Sequence, residues 1–206
     1  MKDMMTFKQY EKQAVGTATL TVFDIDETLF HTTAKIRVIS GDKVVRQLTN
    51  QEFNTYELKS GERFDFAEFS DSDKFYRESK PIAKMLSKAK TILSNVRINP
   101  NNRVIIVTAR ADFDNKERFL DTFRKHGFDI DRVRVERAGN IRDISNSAIK
   151  KYVIIRNYLL TKQYTRVRLF DDCIENLRVF LKLKQEFPGV IFEAYFARPD
   201  GTVQRV

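Results

Sequence analysis

Residues 20–29, Leu-Thr-Val-Phe-Asp-Ile-Asp-Glu-Thr-Leu, carry the strongest signal for the fold class. The first four of these residues predict a short buried strand, and Asp24 and Asp26 follow directly. In a parallel sheet, ligands bind at the carboxyl ends of the strands. If the extended backbone continues, two residues spaced by two share one face. Alone, the pair would suit an acidic turn equally well, but its position predicts two acids at a ligand-binding edge.

Downstream of this stretch, short apolar runs alternate with segments of helical period. Such alternation indicates an α/β fold, a parallel sheet with helices on both faces. A chain of 206 residues suits one domain spanning residues 1–206. Further strands are predicted at 104–107, 133–135, 167–170 and 190–196. Helices are predicted to begin at Pro81, after a cap by Asp114, after a cap by Ser147, and at Ile174.

Residues 31–78 interrupt this alternation. Residues 36–39 and 44–48 flank Ser-Gly-Asp-Lys and predict a β-hairpin. Three phenylalanines follow at Phe64, Phe66 and Phe69. We interpret 31–78 as a cap inserted over the carboxyl edge of the sheet, with a decorative hairpin as the alternative.

Two further predicted strands also end in polar side chains. Thr108 and Arg110 follow the strand at 104–107, and an Arg fork can hold phosphate oxygens. Asp171 and Asp172 follow the strand at 167–170, and magnesium prefers carboxylate oxygens. Taken singly, Thr108 could cap a turn and Asp172 a helix.

A lysine pair, Lys150 and Lys151, lies near the start of the helix predicted from Ser147. A lone lysine on a helix is usually a solvated surface residue. Beside phosphate-binding groups, one of the two would neutralise charge. We prefer Lys150 because Ala148 and Ile149 before it and Val153 after it suit a first turn that faces the site.

The order Asp-x-Asp, Thr, Lys, Asp-Asp resembles the haloacid dehalogenase-like superfamily of phosphohydrolases across residues 20–176. The run from Thr108 to Arg110 also looks like an element of its polynucleotide phosphatases, such as the phosphatase domain of phage-type polynucleotide kinase/3′-phosphatases. The resemblance implies a Rossmann-like core with a cap after the first motif, which matches residues 31–78.

The resemblance also implies a mechanism. Asp24 would attack phosphorus and form an aspartyl-phosphate, while Asp26 would act as general acid and then base. Mg²⁺ would be held by Asp24, the Asp26 backbone carbonyl and Asp172, while Asp171 would lie behind these ligands or bind the ion through water. The remaining catalytic residues are Thr108, on the phosphoryl group, and Lys150. The candidate substrate-binding residues are Arg110, Thr28 and Lys151.

Composition limits the partners and the compartment. The net charge of +9 favours anionic partners such as phosphate esters, nucleotides or nucleic acid. A single cysteine, Cys173, excludes an intramolecular disulfide and fits a cytoplasmic protein. Residues 1–20 lack the apolar run of a signal peptide, and no stretch is long and apolar enough to span a membrane.

Three alternatives remain open from the sequence. The substrate could be a sugar phosphate rather than a 3′-phosphate end of nucleic acid or a nucleotide. A phosphoacceptor signalling domain uses similar residues, but its paired acids come near the first strand, whereas here they come last. A non-catalytic nucleic-acid-binding module would suit the charge but leave all four elements as coincidences. No phosphate-binding Gly-x-x-x-x-Gly-Lys-Ser/Thr sequence is present, which disfavours a kinase.

Overall fold

A computed structural model describes residues 18–53, 55–144 and 146–206, so residues 1–17 of the predicted domain lie outside the described part. In chain order the strands are β1 (Thr19–Phe23), β2 (Phe30–His31), β3 (Ile36–Ser40), β4 (Lys43–Leu48), β5 (Glu62–Asp65), β6 (Lys80–Pro81), β7 (Arg103–Thr108), β8 (Arg134–Arg137), β9 (Arg166–Asp171), β10 (Ile191–Ala197) and β11 (Val203–Arg205). The helices are α1 (Asn50–Phe53), α2 (Ser72–Glu78), α3 (Ala83–Asn95), α4 (Lys116–Arg124), α5 (Ser147–Leu160), α6 (Ile174–Leu181) and α7 (Leu183–Glu186).

The central sheet has the order β11-β10-β9-β1-β7-β8. Its pairs are parallel from β10 to β8, and β11 joins the edge antiparallel to β10. The predicted Rossmann-like parallel sheet is therefore confirmed. The edge strand β11 was not predicted, because its three residues carry too little periodicity.

Helices cover both faces of this sheet, each over its own apolar core. Alternate residues of β1 point to opposite faces, so Val22 packs with α5 and α6 while Phe23 packs with α3 and α4. We call these the α5 face and the α3 face. This two-sided burial explains why the predicted strands read as continuous apolar runs.

Several predicted helix starts are off by one or two residues. Asn115 rather than Asp114 caps α4, and Asn146 rather than Ser147 caps α5. The Asp114 carboxylate instead accepts hydrogen bonds from the backbone and hydroxyl of Ser72, which ties two segments together. Pro81 lies in β6, and α3 begins two residues later.

The insertion of residues 31–78 forms a small three-stranded antiparallel sheet of order β4-β3-β5. The predicted hairpin is confirmed, with Gly41 at a φ of 57° in its turn. The β2–β6 pair clamps the two ends of the insertion together. A separate small core forms around the three-stranded sheet, made of Ile36, Val38, Leu48, Phe53, Tyr56, Phe64 and Phe69, whereas Phe75 of α2 packs in the main core. Closure of the insertion as a lid stays a prediction.

None of the described helices is long and apolar enough to cross a membrane.

Candidate active site

Three neighbouring strands of the central sheet bring the predicted acids and threonine to one edge. In the sheet register Phe23 of β1 lies beside Phe170 of β9 and Ile106 of β7. The Asp24 backbone N–H still donates to the Phe170 carbonyl, at 3.0 Å, which continues the parallel ladder by one residue. Because the strands end together, the residues that follow them converge.

Asp24, Asp171 and Asp172 form a tight carboxylate cluster. One oxygen from each carboxylate lies within 4.8 Å of the others. Asp24 is 6% exposed and Asp171 is fully buried. The Asp24 Oδ1 atom is buried and has no hydrogen-bond partner among the described residues. A buried carboxylate oxygen without a partner is costly, so this donor set fits a bound divalent cation.

Lys151 is the cation that the structure places in this cluster. Its Nζ lies 3.0 Å from Asp24 Oδ2 and 2.7 Å from Asp171 Oδ2, and the side chain is 2% exposed. The prediction that Lys150 faces the acids is therefore wrong in its register. The buried residues of α5 are Ala148, Lys151, Ile155 and Leu159, one stripe at helical spacing. Lys150 lies off that stripe and is half-buried.

Burial and nearby carboxylates raise the pKa values of Asp24 and Asp172. Burial raises the pKa of Asp24 to about 7, although Lys151 opposes the shift. Burial, with Asp171 and Asp24 nearby, raises the pKa of Asp172 to about 9. Burial alone would lower the pKa of Lys151, but the two carboxylates that it contacts raise it. When all three carboxylates are ionised, the single ammonium leaves net negative charge in the cluster, which a bound metal ion would offset.

Asp171 has hydrogen-bond partners on both oxygens. Its Oδ1 accepts from the Cys173 backbone N–H at 2.9 Å and from Asn176 Nδ2 at 2.8 Å, while Oδ2 accepts from Lys151. Asp171 therefore orients Lys151 and is itself held by Asn176. Sequence reasoning missed Asn176, although its place in the first turn of α6, five residues after Asp171, could have suggested it.

Asp26 is held by Arg110 in a two-pronged ion pair. Arg110 Nε lies 2.9 Å from Oδ2, and Nη2 lies 2.6 Å from Oδ1. Arg110 Nη1 also donates to the Phe69 carbonyl at 2.9 Å, and the guanidinium lies over the Phe69 and Phe75 rings. We expected Arg110 to bind phosphate oxygens. The structure instead commits three of its five N–H donors to Asp26 and Phe69.

The two candidate hydroxyls are placed differently. Thr108 is fully buried at the end of β7, and its Oγ1 accepts from the Arg110 backbone N–H at 3.2 Å. It thus caps the turn, and its own O–H remains a donor. Thr28 is also fully buried. It lies in the tight turn of residues 25–30, in which Glu27 has a φ of 53°. Thr28 Oγ1 has no hydrogen-bond partner among the described residues, and the expected substrate-binding role of Thr28 stays a prediction.

Gly139 supports the turn that carries Thr108 and Arg110. Its backbone N–H donates to the Arg110 carbonyl at 3.1 Å. A Cβ at this position would lie 2.5 Å from the Ala111 nitrogen and 2.6 Å from the Arg110 carbonyl carbon. Only glycine allows this close approach of two backbone segments. Sequence reasoning did not single out Gly139.

Gly139→Ala should therefore displace the 108–111 turn and lower the free energy of unfolding by about 1–3 kcal/mol. Gly189→Ala is the matched control, because a Cβ there meets no atom within 4 Å. Denaturant unfolding of both variants measures the difference. Equal stabilities would show that the turn does not depend on this close backbone approach.

Comparison with known protein families and with curated proteins finds no family and no curated protein that matches this chain.

Proposed function

We propose that this chain is a magnesium-dependent phosphomonoester hydrolase that acts through an aspartyl-phosphate on Asp24. The observation that carries the proposal is the environment of that carboxylate. One oxygen of Asp24 is held by Lys151, and the other is buried without a partner among the described residues, beside Asp171 and Asp172. A pure structural ion pair would not need three clustered acids at the ligand-binding edge of the sheet.

The cation would be held by the carboxylates of Asp24 and Asp172, with Asp171 close by. Mg²⁺ commonly uses one or two protein carboxylates together with water and substrate phosphate. When bound, it would offset the charge of the carboxylates and of the phosphate. Lys151 would supply a second, fixed positive charge beside the nucleophile.

The residues then divide the reaction between them. An Asp24 oxygen would attack phosphorus, so that an Asp–O–P bond forms while the ester P–O bond breaks. Asp26 would donate a proton to the leaving oxygen, after one of its carboxylate oxygens leaves the Arg110 fork and takes up that proton. In the second step Asp26 would take a proton from water, and that water would release inorganic phosphate and restore Asp24. Thr108 would donate its free O–H to the phosphoryl group.

Arg110 enters this scheme as a positioning residue. Its fork fixes both oxygens of Asp26, and its third hydrogen bond ties them to the Phe69 carbonyl within the insertion. The insertion and the general acid are thereby joined through one guanidinium. Movement of residues 67–69 would change the orientation of Asp26.

For the substrate, we propose a nucleic-acid end or a nucleotide, with a 3′-phosphate preferred and sugar phosphates as the alternative. The net charge of +9 supports a polyanion. The aromatic residues of the insertion support it less than the sequence indicated. Phe53, Tyr56 and Phe64 pack against one another and the small core rather than facing outward, while Phe66 is 47% exposed.

A phosphate-release screen with magnesium tests the proposal. It should cover sugar phosphates, mononucleotides, and oligonucleotides with 3′- or 5′-phosphates. We expect repeated turnover of at least one class. Self-modification without turnover would indicate a phosphoacceptor domain instead.

Metal dependence gives a sharper prediction. Chelation should remove activity and magnesium should restore it, and Asp172→Ala should raise the magnesium concentration needed by about 10-fold or more. The control is Asp42→Ala, which removes an exposed acid from the hairpin turn. A magnesium titration of both variants measures the shift. Activity that survives exhaustive chelation would contradict the proposed metal role.

The Asp26–Arg110 pair gives a prediction about leaving groups. Asp26→Asn should slow the hydrolysis of alkyl phosphates by about 10²–10⁴-fold, because a poor leaving group needs a proton from the general acid. Arg110→Lys should show the same selectivity more weakly, since lysine keeps the charge but loses the fork. The measurement compares kcat for an alkyl and an activated aryl phosphate. An equal loss on both would exclude Asp26 as the acid in the slow step.

A further inference from the structure

The α3 face of the central sheet carries an open groove that the proposed reaction does not use. It has a volume of about 610 Å³ and lies between α3 and strands β9 to β11, with Lys84 and Lys88 on one side and Arg168 and Tyr195 on the other. A second hollow of about 150 Å³ continues it past Arg168 to Arg103. Volumes of several hundred Å³ are typical of ligand sites.

The sequence makes this part of the sheet face polar. Arg166 and Arg168 share the α3 face with Phe170 by strand alternation, whereas Val167 and Leu169 are buried on the α5 face. Thr21, from the neighbouring strand, faces the same hollow. Arginine and threonine side chains pack poorly beneath an apolar helix. These strand sequences therefore leave an open groove between the sheet and α3.

Positive charge dominates the groove. Among the described residues that line the two hollows, four are Lys or Arg and none is Asp or Glu. Glu193 lies beside the groove, but it is shared between Arg166 at 2.9 Å and Arg168 at 2.7 Å. One carboxylate between two guanidiniums leaves a positive charge uncompensated. The Lys84–Asp200 pair, at 3.4 Å, is well exposed and therefore weak.

The groove extends between the two edges of the sheet. Its Lys84 end adjoins the start of α3 and Phe170, one residue before Asp171, at the edge that carries the acids. Its Arg103 end lies where β7 begins, at the opposite edge. From Lys84 to Asn95 the helix rises about 16 Å. Cations spread over that length match a ligand with repeated charges better than one phosphate.

We propose that this groove binds single-stranded nucleic acid through its phosphate backbone. Lys84, Lys88, Arg168 and Arg103 would follow the phosphates. Tyr195 is half-buried at the end of a three-ring stack, with Phe23–Phe170 and Phe170–Tyr195 centroids both 4.8 Å apart. Proteins that bind single-stranded nucleic acid combine a cationic groove with aromatic rings on which bases stack. Binding here does not depend on the proposed hydrolysis, so the two proposals can fail separately.

Fluorescence anisotropy with a labelled oligothymidylate of about 10 nucleotides tests the groove. The double variant Lys84→Glu/Lys88→Glu should bind at least about 10-fold more weakly. Its plot of log affinity against log salt concentration should be shallower by about 0.7 for each phosphate that the variant no longer neutralises. The matched control is Lys182→Glu/Lys184→Glu, which makes the same charge change at exposed positions around α7. The control should lose much less affinity.

Equal losses of oligonucleotide affinity in the two double variants would show that binding depends only on net charge, and they would overturn the proposal. Displacement of the oligonucleotide by an acidic peptide at equal concentration would instead indicate a protein partner and would also overturn it. Hydrolysis of a small aryl phosphate should be unchanged in Lys84→Glu/Lys88→Glu. If binding follows this pattern while no phosphatase activity is found, the groove stands and the proposed function fails.

Discussion

Asp24→Asn is expected to abolish turnover, by about 10⁴-fold or more, while the fold is retained. The amide cannot attack phosphorus, and no other described carboxylate both touches Lys151 and has a buried oxygen that lacks a partner. Steady-state phosphate release measures the loss. Circular dichroism and thermal unfolding show whether the fold survives.

The stability of this variant can be predicted from the pKa of Asp24. Burial raises that pKa from 3.8 to about 7, so in metal-free protein stability falls as pH rises from about 4 towards 7, because the carboxyl ionises more readily in the unfolded chain than in the folded one. Replacing it by a neutral amide relieves this cost. Asp24→Asn should therefore unfold at no lower temperature than wild type near neutral pH. Asp129→Asn, at an exposed position, is the control for both activity and stability.

Lys151→Ala should reduce activity by about 10²–10³-fold, whereas Lys150→Ala should stay within about twofold of wild type. The reason is geometric, since Lys151 is the member of the pair that reaches the carboxylates of Asp24 and Asp171. Removing one member of a buried ion pair also lowers the free energy of unfolding by about 3–5 kcal/mol. Activity must therefore be compared at a temperature where denaturation curves show both variants folded.

Lys151→Met separates the charge from the packing, because it keeps an unbranched side chain at the buried position. A folded Lys151→Met protein with the same loss would assign the effect to charge. The opposite ranking, with Lys150→Ala inactive and Lys151→Ala active, would contradict the register of α5.

Much of this fold could be predicted because buried positions are occupied by apolar residues, whose spacing is visible in the sequence. Towards their carboxyl ends the core strands β1, β7 and β9 are apolar on both faces, and each is followed by polar residues that the sheet register brings together. The lysine register could also have been derived. Lys151 lies three residues after Ala148 and four before Ile155, in phase with the buried stripe. Val153, on which the preference for Lys150 partly rested, lies off that stripe.

Other features depend on interactions that sequence spacing does not encode. Arg110 pairs with Asp26 across 84 residues and with the Phe69 carbonyl across 41. A backbone carbonyl carries no residue-type signal, so this hydrogen bond could not be anticipated. The aromatic residues of the insertion look the same whether they stack on bases or on each other, and the structure shows that most do the latter. The role of Gly139 likewise follows only from the approach of two loops.

The aspartyl-phosphate on Asp24 can be detected by mass spectrometry of the protein after an acid quench during turnover of an aryl phosphate with magnesium. The proposed mechanism predicts one added phosphoryl group on the peptide that contains Asp24, absent in Asp24→Asn. It should accumulate further in Asp26→Asn if hydrolysis of the intermediate becomes slow. Turnover of the same substrate with no phosphorylated Asp24, or with the phosphoryl group on another residue, would contradict the mechanism.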